Sequence, residues 1–128
     1  MNLLLDTHSF LWFVANDPRL SHDARSAIES PANCKWLSVA SCWEISIKVG
    51  LGKLQISDPV DVFLPREIAF NRFSLLAIDL RHVLFVATMP SHHRDPFDRL
   101  LIAQAQMESL QVVGCDESFD TYGVSRLW

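Results

Sequence analysis

His93-Arg94-Asp95-Pro96-Phe97-Asp98-Arg99-Leu100-Leu101-Ile102-Ala103-Gln104-Ala105 reads as a loop entering a helix. Asp95 has the short acceptor side chain of an N-cap, able to take a hydrogen bond from a free N–H of the first turn. Pro96 suits the first helical position, where φ is already right and no N–H is needed. Asp98 falls three residues after the cap, and Leu101, Ile102 and Ala105 recur on its face. An acid at the end of a core-facing stripe is costly unless a metal, a cap or a cation answers it. Two readings stand at this point. Asp98 can reach back to the cap N–H as in a capping box and gain from the helix dipole. Or it belongs to a group of carboxylates that converge from elsewhere in the chain.

On either side of this helix, short apolar runs alternate with helical segments. Strands are expected over residues 2–5, 34–39, 74–78, 111–115 and 124–128. Helices are expected over 8–15, 22–30, 40–51, 60–70 and 81–88, with a short turn over 117–122. Asn16-Asp17-Pro18, Pro31 and Ser57-Asp58-Pro59 punctuate them, and Asp79 is placed to cap the helix that follows it. This alternation argues for an α/β domain with a mostly parallel sheet of four to five strands, covered on both faces.

The chain has 128 residues, which fits a single domain spanning 1–128 with a core of its own. A net charge of −4 argues against a globally basic nucleic-acid binder, so any contact with RNA or DNA must rest on a local patch. Cys34, Cys42 and Cys115 are odd in number and widely spaced. They form neither a disulfide framework nor a zinc ribbon, and free thiols fit a reducing cytoplasm. No apolar run approaches the length of a membrane span, and the N-terminus lacks the basic start of a signal peptide.

Asp6 and Asp116 directly follow two of the buried-looking strands, and ligand sites in α/β sheets lie beyond the carboxyl ends of the strands. Each alone can be a turn or cap residue. Glu44 sits in a helix whose other residues leave it little polar face, although Lys48 stands one turn on and offers a simple surface pair. With Asp98 these make four acids. Clustered carboxylates raise each other's pKa unless a cation neutralises them, and oxygen ligands of this kind suit Mg²⁺ or Mn²⁺. No G-x-x-x-x-G-K loop is present, which argues against an NTPase. His92-His93 has no Cys or His partner at zinc spacing and reads as an exposed loop near the mouth of the site. Trp12, Trp36, Trp43 and Trp128 read as core or interface, and Asp120 as a solvated residue rather than a fifth acid of the site.

The chain resembles the PIN-domain ribonucleases, and among them the VapC-type toxins of toxin–antitoxin pairs. The resemblance is carried by Leu4-Leu5-Asp6-Thr7-His8 with Leu11-Trp12, by Ser38 to Ile45 with Lys48 to Leu54, by Asp95 to Ala105, and by Asp116, Phe119, Tyr122-Gly123-Val124 and Trp128. It implies a PIN-like α/β/α sandwich and a metal-dependent endoribonuclease acting on cellular RNA such as tRNA or rRNA. Asp6, Glu44, Asp98 and Asp116 fall on the family's acidic, metal-binding positions, which would hold Mg²⁺ or Mn²⁺. Thr7 and Arg99 also match, and Lys48, Lys53, Arg94 and Arg99 are the expected contacts to the RNA backbone, with Thr7 close by. The family carries Ser or Thr two residues before its last acid, where this chain has Gly114. The resemblance further implies an antitoxin whose tail covers the acidic cleft, homodimers, and heterotetramers or larger assemblies with the antitoxin. Two other classes are compatible with the residues: a non-catalytic PIN-like binding module, and a Mg²⁺-dependent phosphohydrolase of small esters. The second would want an acid two residues after Asp6, where His8 stands.

Overall fold

Residues 1–93 and 95–128 are described by a computed structural model. Its five strands are β1 (Asn2–Leu5), β2 (Cys34–Ser38), β3 (Ser74–Leu76), β4 (Gln111–Val113) and β5 (Arg126–Leu127). They form one sheet in the order β3-β2-β1-β4-β5, and every pairing is parallel. The helices are α1 (Thr7–Val14), α2 (His22–Glu29), α3 (Val39–Gly50), α4 (Val60–Phe70), α5 (Leu80–Val86) and α6 (Pro96–Glu108), with a 3-10 helix at Glu117–Tyr122. None of the described helices is long and apolar enough to cross a membrane.

β1 is central and buried on both sides, so its side chains divide between two cores. Leu3 and Leu5 join Phe10 of α1, Ile28 of α2, Ile45 of α3 and Phe63 of α4. Leu4 joins Leu101, Ile102 and Ala105 of α6, with Val112 and Phe119. Most of these side chains are fully shielded from solvent, and each contributes roughly 1.5–3 kcal/mol by its removal from water. Gln104 is the polar member of the α6 face. Its Oε1 accepts from Ser38 Oγ at 2.6 Å and its Nε2 donates to Ala77 O at 3.3 Å, so α6 is tied to the ends of β2 and β3.

Several element ends differ from expectation for a local reason. Val39 begins α3 rather than ending β2, because Ser38 Oγ accepts the Ala40 N–H at 3.0 Å and starts the helix there. Likewise α1 starts at Thr7, with Asp6 as its N-cap. β3 stops at Leu76, where the carbonyl of the next residue is engaged by Gln104. Cys34, Cys42 and Cys115 are free thiols.

The strand order places a switch point beside β1. The chain runs from β1 outward through β2 and β3, then crosses to β4 on the other side. In such sheets the crevice beyond the carboxyl ends of the two strands at the switch is the natural place for a ligand.

Candidate active site

Four segments reach that crevice. Asp6 follows β1 and caps α1, its Oδ1 accepting the Ser9 N–H at 2.8 Å. Glu44 projects from α3, the helix that Ser38 starts at the end of β2. Asp98 lies in the first turn of α6, and Asp116 caps the 3-10 helix through the Ser118 N–H at 2.9 Å. All four line one small cleft of about 130 Å³, together with Thr7, His8, Lys48, Asp95 and Cys115. Five of these nine side chains are acids and one is a lysine. Lys53 is exposed in the turn after α3 and is not among the cleft residues. Arg94 lies outside the described residues.

The acids are held by donors. Thr7 Oγ1 donates to Glu44 Oε1 at 2.6 Å, and Lys48 Nζ meets Glu44 Oε2 at 2.7 Å. The i,i+4 pair is therefore real, yet Glu44 is only 5% exposed, so this is not a pair on a wet surface. Asp6 is 7% exposed, and burial raises its pKa above the usual carboxylate range despite the Ser9 N–H. Asp98 is pushed up to about 7, first by burial, then by the charge of Asp95, with Asp6 and Glu44 adding to it and His93 opposing. Burial alone would raise Asp116 too, but the Ser118 N–H and His93 outweigh it and hold its carboxyl below the usual range. Neighbouring carboxylates that oppose each other's ionisation are what a divalent cation relieves.

Asp98 is not a capping-box residue. The Asp95 backbone N–H, which such a box would engage, donates instead to His93 Nδ1 at 3.0 Å. The cap itself is Asp95, whose Oδ1 accepts from the N–H groups of Phe97 and Asp98. His93 also departs from the exposed loop expected of it. Its side chain is only 16% exposed, and its Nε2 lies 3.1 Å from both Asp98 Oδ2 and Asp116 Oδ2. His92, by contrast, is exposed, with its ring 5.2 Å from that of Tyr122.

Arg99, expected at the RNA backbone, is turned inward. Its Nη1 donates to the carbonyls of Pro90 and His93 and to Tyr122 Oη, and its Nη2 donates to Val86 O. A guanidinium spent on four acceptors of its own chain pins the loop before α6 and has little left for a phosphate. Asp120 is not at the site; it forms a two-bond pair with Arg126 at 2.9 and 3.0 Å.

Gly114 has a reason of its own. A Cβ there would lie 2.6 Å from Asp6 Oδ2, closer than side-chain atoms tolerate. The absence of a hydroxyl-bearing residue is thus matched by an Asp6 carboxylate that leans over the glycine.

The PIN domain family matches residues 3–124 of the chain. Over 69 residues the chain is 36% identical to Ribonuclease VapC16 of Mycobacterium tuberculosis, a stretch that is 51% of this chain and 49% of that protein. The chain thus matches about half the length of that relative. Among solved structures it is similar to the DNA-bound VapBC of Salmonella typhimurium, with a TM-score of 0.74, 16% identity, and coverage of 99% of this chain and 97% of the other. It is also similar to VapBC2 of Rickettsia felis bound to a DNA fragment from their promoter, with a TM-score of 0.73, 12% identity, and coverage of 99% and 98%. At these identities the structural likenesses establish the fold.

Proposed function

The chain belongs to the PIN-domain family, and from that premise we propose that it is a divalent-metal-dependent endoribonuclease, the toxin half of a toxin–antitoxin pair. The observation that carries this reading is the convergence of Asp6, Glu44, Asp98 and Asp116, from four separate parts of the sequence, on one cleft at the switch point of the sheet. The donor set fits a hard cation. It is made of carboxylate oxygens, which suit Mg²⁺ or Mn²⁺, and burial opposes the ionisation of Asp6 and Asp98. When bound, such an ion lowers the pKa of water and neutralises charge that develops on a phosphodiester.

The chain's own residues do the rest. Thr7 and Lys48 fix the two oxygens of Glu44, and the Ser9 and Ser118 N–H groups fix one oxygen each of Asp6 and Asp116. These three acids are thus aimed by donors that are already in place. Lys48, at the cleft wall, is the cation best placed to meet an RNA phosphate among the described residues. The ribonuclease relative supports RNA as substrate, and the VapBC complexes support an antitoxin as partner. A homodimer belongs to the same reading, since Leu80, Val83 and Leu84 leave apolar surface of α5 exposed.

The test is incubation of the purified, partner-free protein with total cellular RNA and Mg²⁺ or Mn²⁺. Discrete cleavage, abolished by EDTA and by Asp98→Asn, is the expected result. Cleavage that survives Asp98→Asn would remove Asp98 from the site. A folded, metal-binding protein that cuts nothing would favour the binding module.

A further inference from the structure

We propose that His93 is a positioning residue that stands in for a cation between Asp98 and Asp116, and that its imidazole swings out when a divalent ion takes that place; the inference rests on the metal-binding reading of the acids.

The ring's orientation is settled by what each nitrogen meets. Nδ1 faces the Asp95 backbone N–H at 3.0 Å, and a backbone N–H can only donate. With Nδ1 as the acceptor the ring proton sits on Nε2, because a proton on Nδ1 would set two donors against each other. Nε2–H then donates to Asp116 Oδ2 at 3.1 Å, and Asp98 Oδ2 lies at the same distance from Nε2. These oxygens come from different elements, the first turn of α6 and the cap of the 3-10 helix. One ring nitrogen lies within 3.1 Å of both carboxylates and stands where they meet.

A metal ligand must offer a lone pair, and Nε2 has none to offer while it carries the proton. His93 is thus a competitor of the ion for the same two oxygens, not a fifth ligand. The ring can leave without unravelling the loop, because the His93 backbone is anchored independently. Its N–H donates to Tyr122 Oη at 2.7 Å, and its carbonyl accepts from Arg99 at 3.3 Å.

The experiment is calorimetric titration with Mn²⁺ of the parent protein, His93→Ala, His93→Gln and Asp98→Asn, each checked for folding by circular dichroism. It is paired with imidazole ¹⁵N–¹H spectra of the parent with and without Mg²⁺. Removing the competitor should tighten Mn²⁺ binding by about 3- to 10-fold in His93→Ala, the scale of one lost hydrogen bond. His93→Gln, which restores an N–H donor near Nε2, should return most of the way to the parent. Saturating Mg²⁺ should move the His93 ring resonances. Equal or weaker binding by His93→Ala, or ring resonances that ignore Mg²⁺ in a protein that binds it, overturns the inference alone. A parent protein that binds no Mn²⁺ overturns the metal reading and the inference with it.

Discussion

Among the described residues two clusters bring one histidine together with two carboxylates, and they are built almost alike. In the first, His82 Nδ1 accepts the Asp79 backbone N–H at 3.1 Å, and Nε2 meets Glu108 Oε1 at 2.9 Å. In the second, His93 Nδ1 accepts the Asp95 N–H at 3.0 Å, and Nε2 meets Asp98 and Asp116. Each neighbouring aspartate caps a helix, α5 in one case and α6 in the other. The difference is in the charge around them. Arg81 Nη2 reaches Asp79 at 2.9 Å and Glu108 at 3.2 Å, so the first cluster carries its own cation at the protein surface. The second sits among Asp6, Glu44 and Asp95, and Lys48, a cation of the cleft among the described residues, is engaged by Glu44. One histidine and two carboxylates therefore make a clasp between two helices in one place and line an acidic cleft in the other. What separates the two clusters, among the described residues, is the charge around them.

Metal binding should break the likeness most sharply. Asp98→Asn is expected to weaken Mn²⁺ binding and any RNA cleavage by about 100-fold or more, the upper range seen when a metal site loses its support. His82→Ala should leave Mn²⁺ affinity unchanged in the same titration. Its effect should be on stability: His82 is 1% exposed, and removing it leaves the clasp unpaired and a void behind, at about 2–4 kcal/mol in urea unfolding. If His82→Ala abolished Mn²⁺ binding instead, the two clusters would have been assigned the wrong way round.

Gly114→Ser offers a finer test. It supplies the hydroxyl that the family resemblance leads one to expect, yet its Cβ would displace the Asp6 carboxylate. We expect Mn²⁺ affinity to fall by about 10-fold, with a gain of affinity as the outcome that would show Asp6 free to move. The smallest effect is in the pH response of the metal-free protein, where the clusters should oppose each other. The raised pKa of Asp98, about 7, means that the folded state holds its proton longer than the unfolded chain. Its stabilising effect is present below the unfolded pKa and lost as pH rises through about 7. Asp79 is lowered, chiefly by its hydrogen bond from Arg81, so its stabilising effect is present above the unfolded pKa and lost only as pH falls in the acid range. In EDTA, melting temperature should decline between about pH 4 and 7 in the parent and decline less in Asp98→Asn. Equal slopes would remove Asp98 as the group responsible.

Much of this was legible in the residues. Asp95-Pro96 announced a helix start, and the alternation of apolar runs with helical segments announced the parallel sheet. The acids could be nominated because each stood at a strand end or in an otherwise apolar helix. His93 could not be placed, because a loop residue's ring orientation depends on a backbone N–H two residues on and on a 3-10 helix more than twenty residues later. The direction of Arg99 is hidden for a related reason. A cation beside an acidic motif looks the same in sequence whether it faces a phosphate or three carbonyls of its own chain. Gly114 read as a missing hydroxyl, when it is room made for a neighbour's carboxylate.

The central position of β1 has a further consequence, for the order in which the molecule is made. Leu3, Leu4 and Leu5 pair on one side with residues 35–37, but on the other with Gln111, Val112 and Val113. A nascent chain can therefore complete half of the sheet early and must wait, with that strand's second edge open, until residues 111–113 have followed. Asp98 and Asp116 arrive in the same late stretch. Synthesis itself thus keeps the acids apart: a product stalled before Asp98 carries Asp6 and Glu44 with nothing to complete them, and the cleft is assembled only after Asp116 has been made.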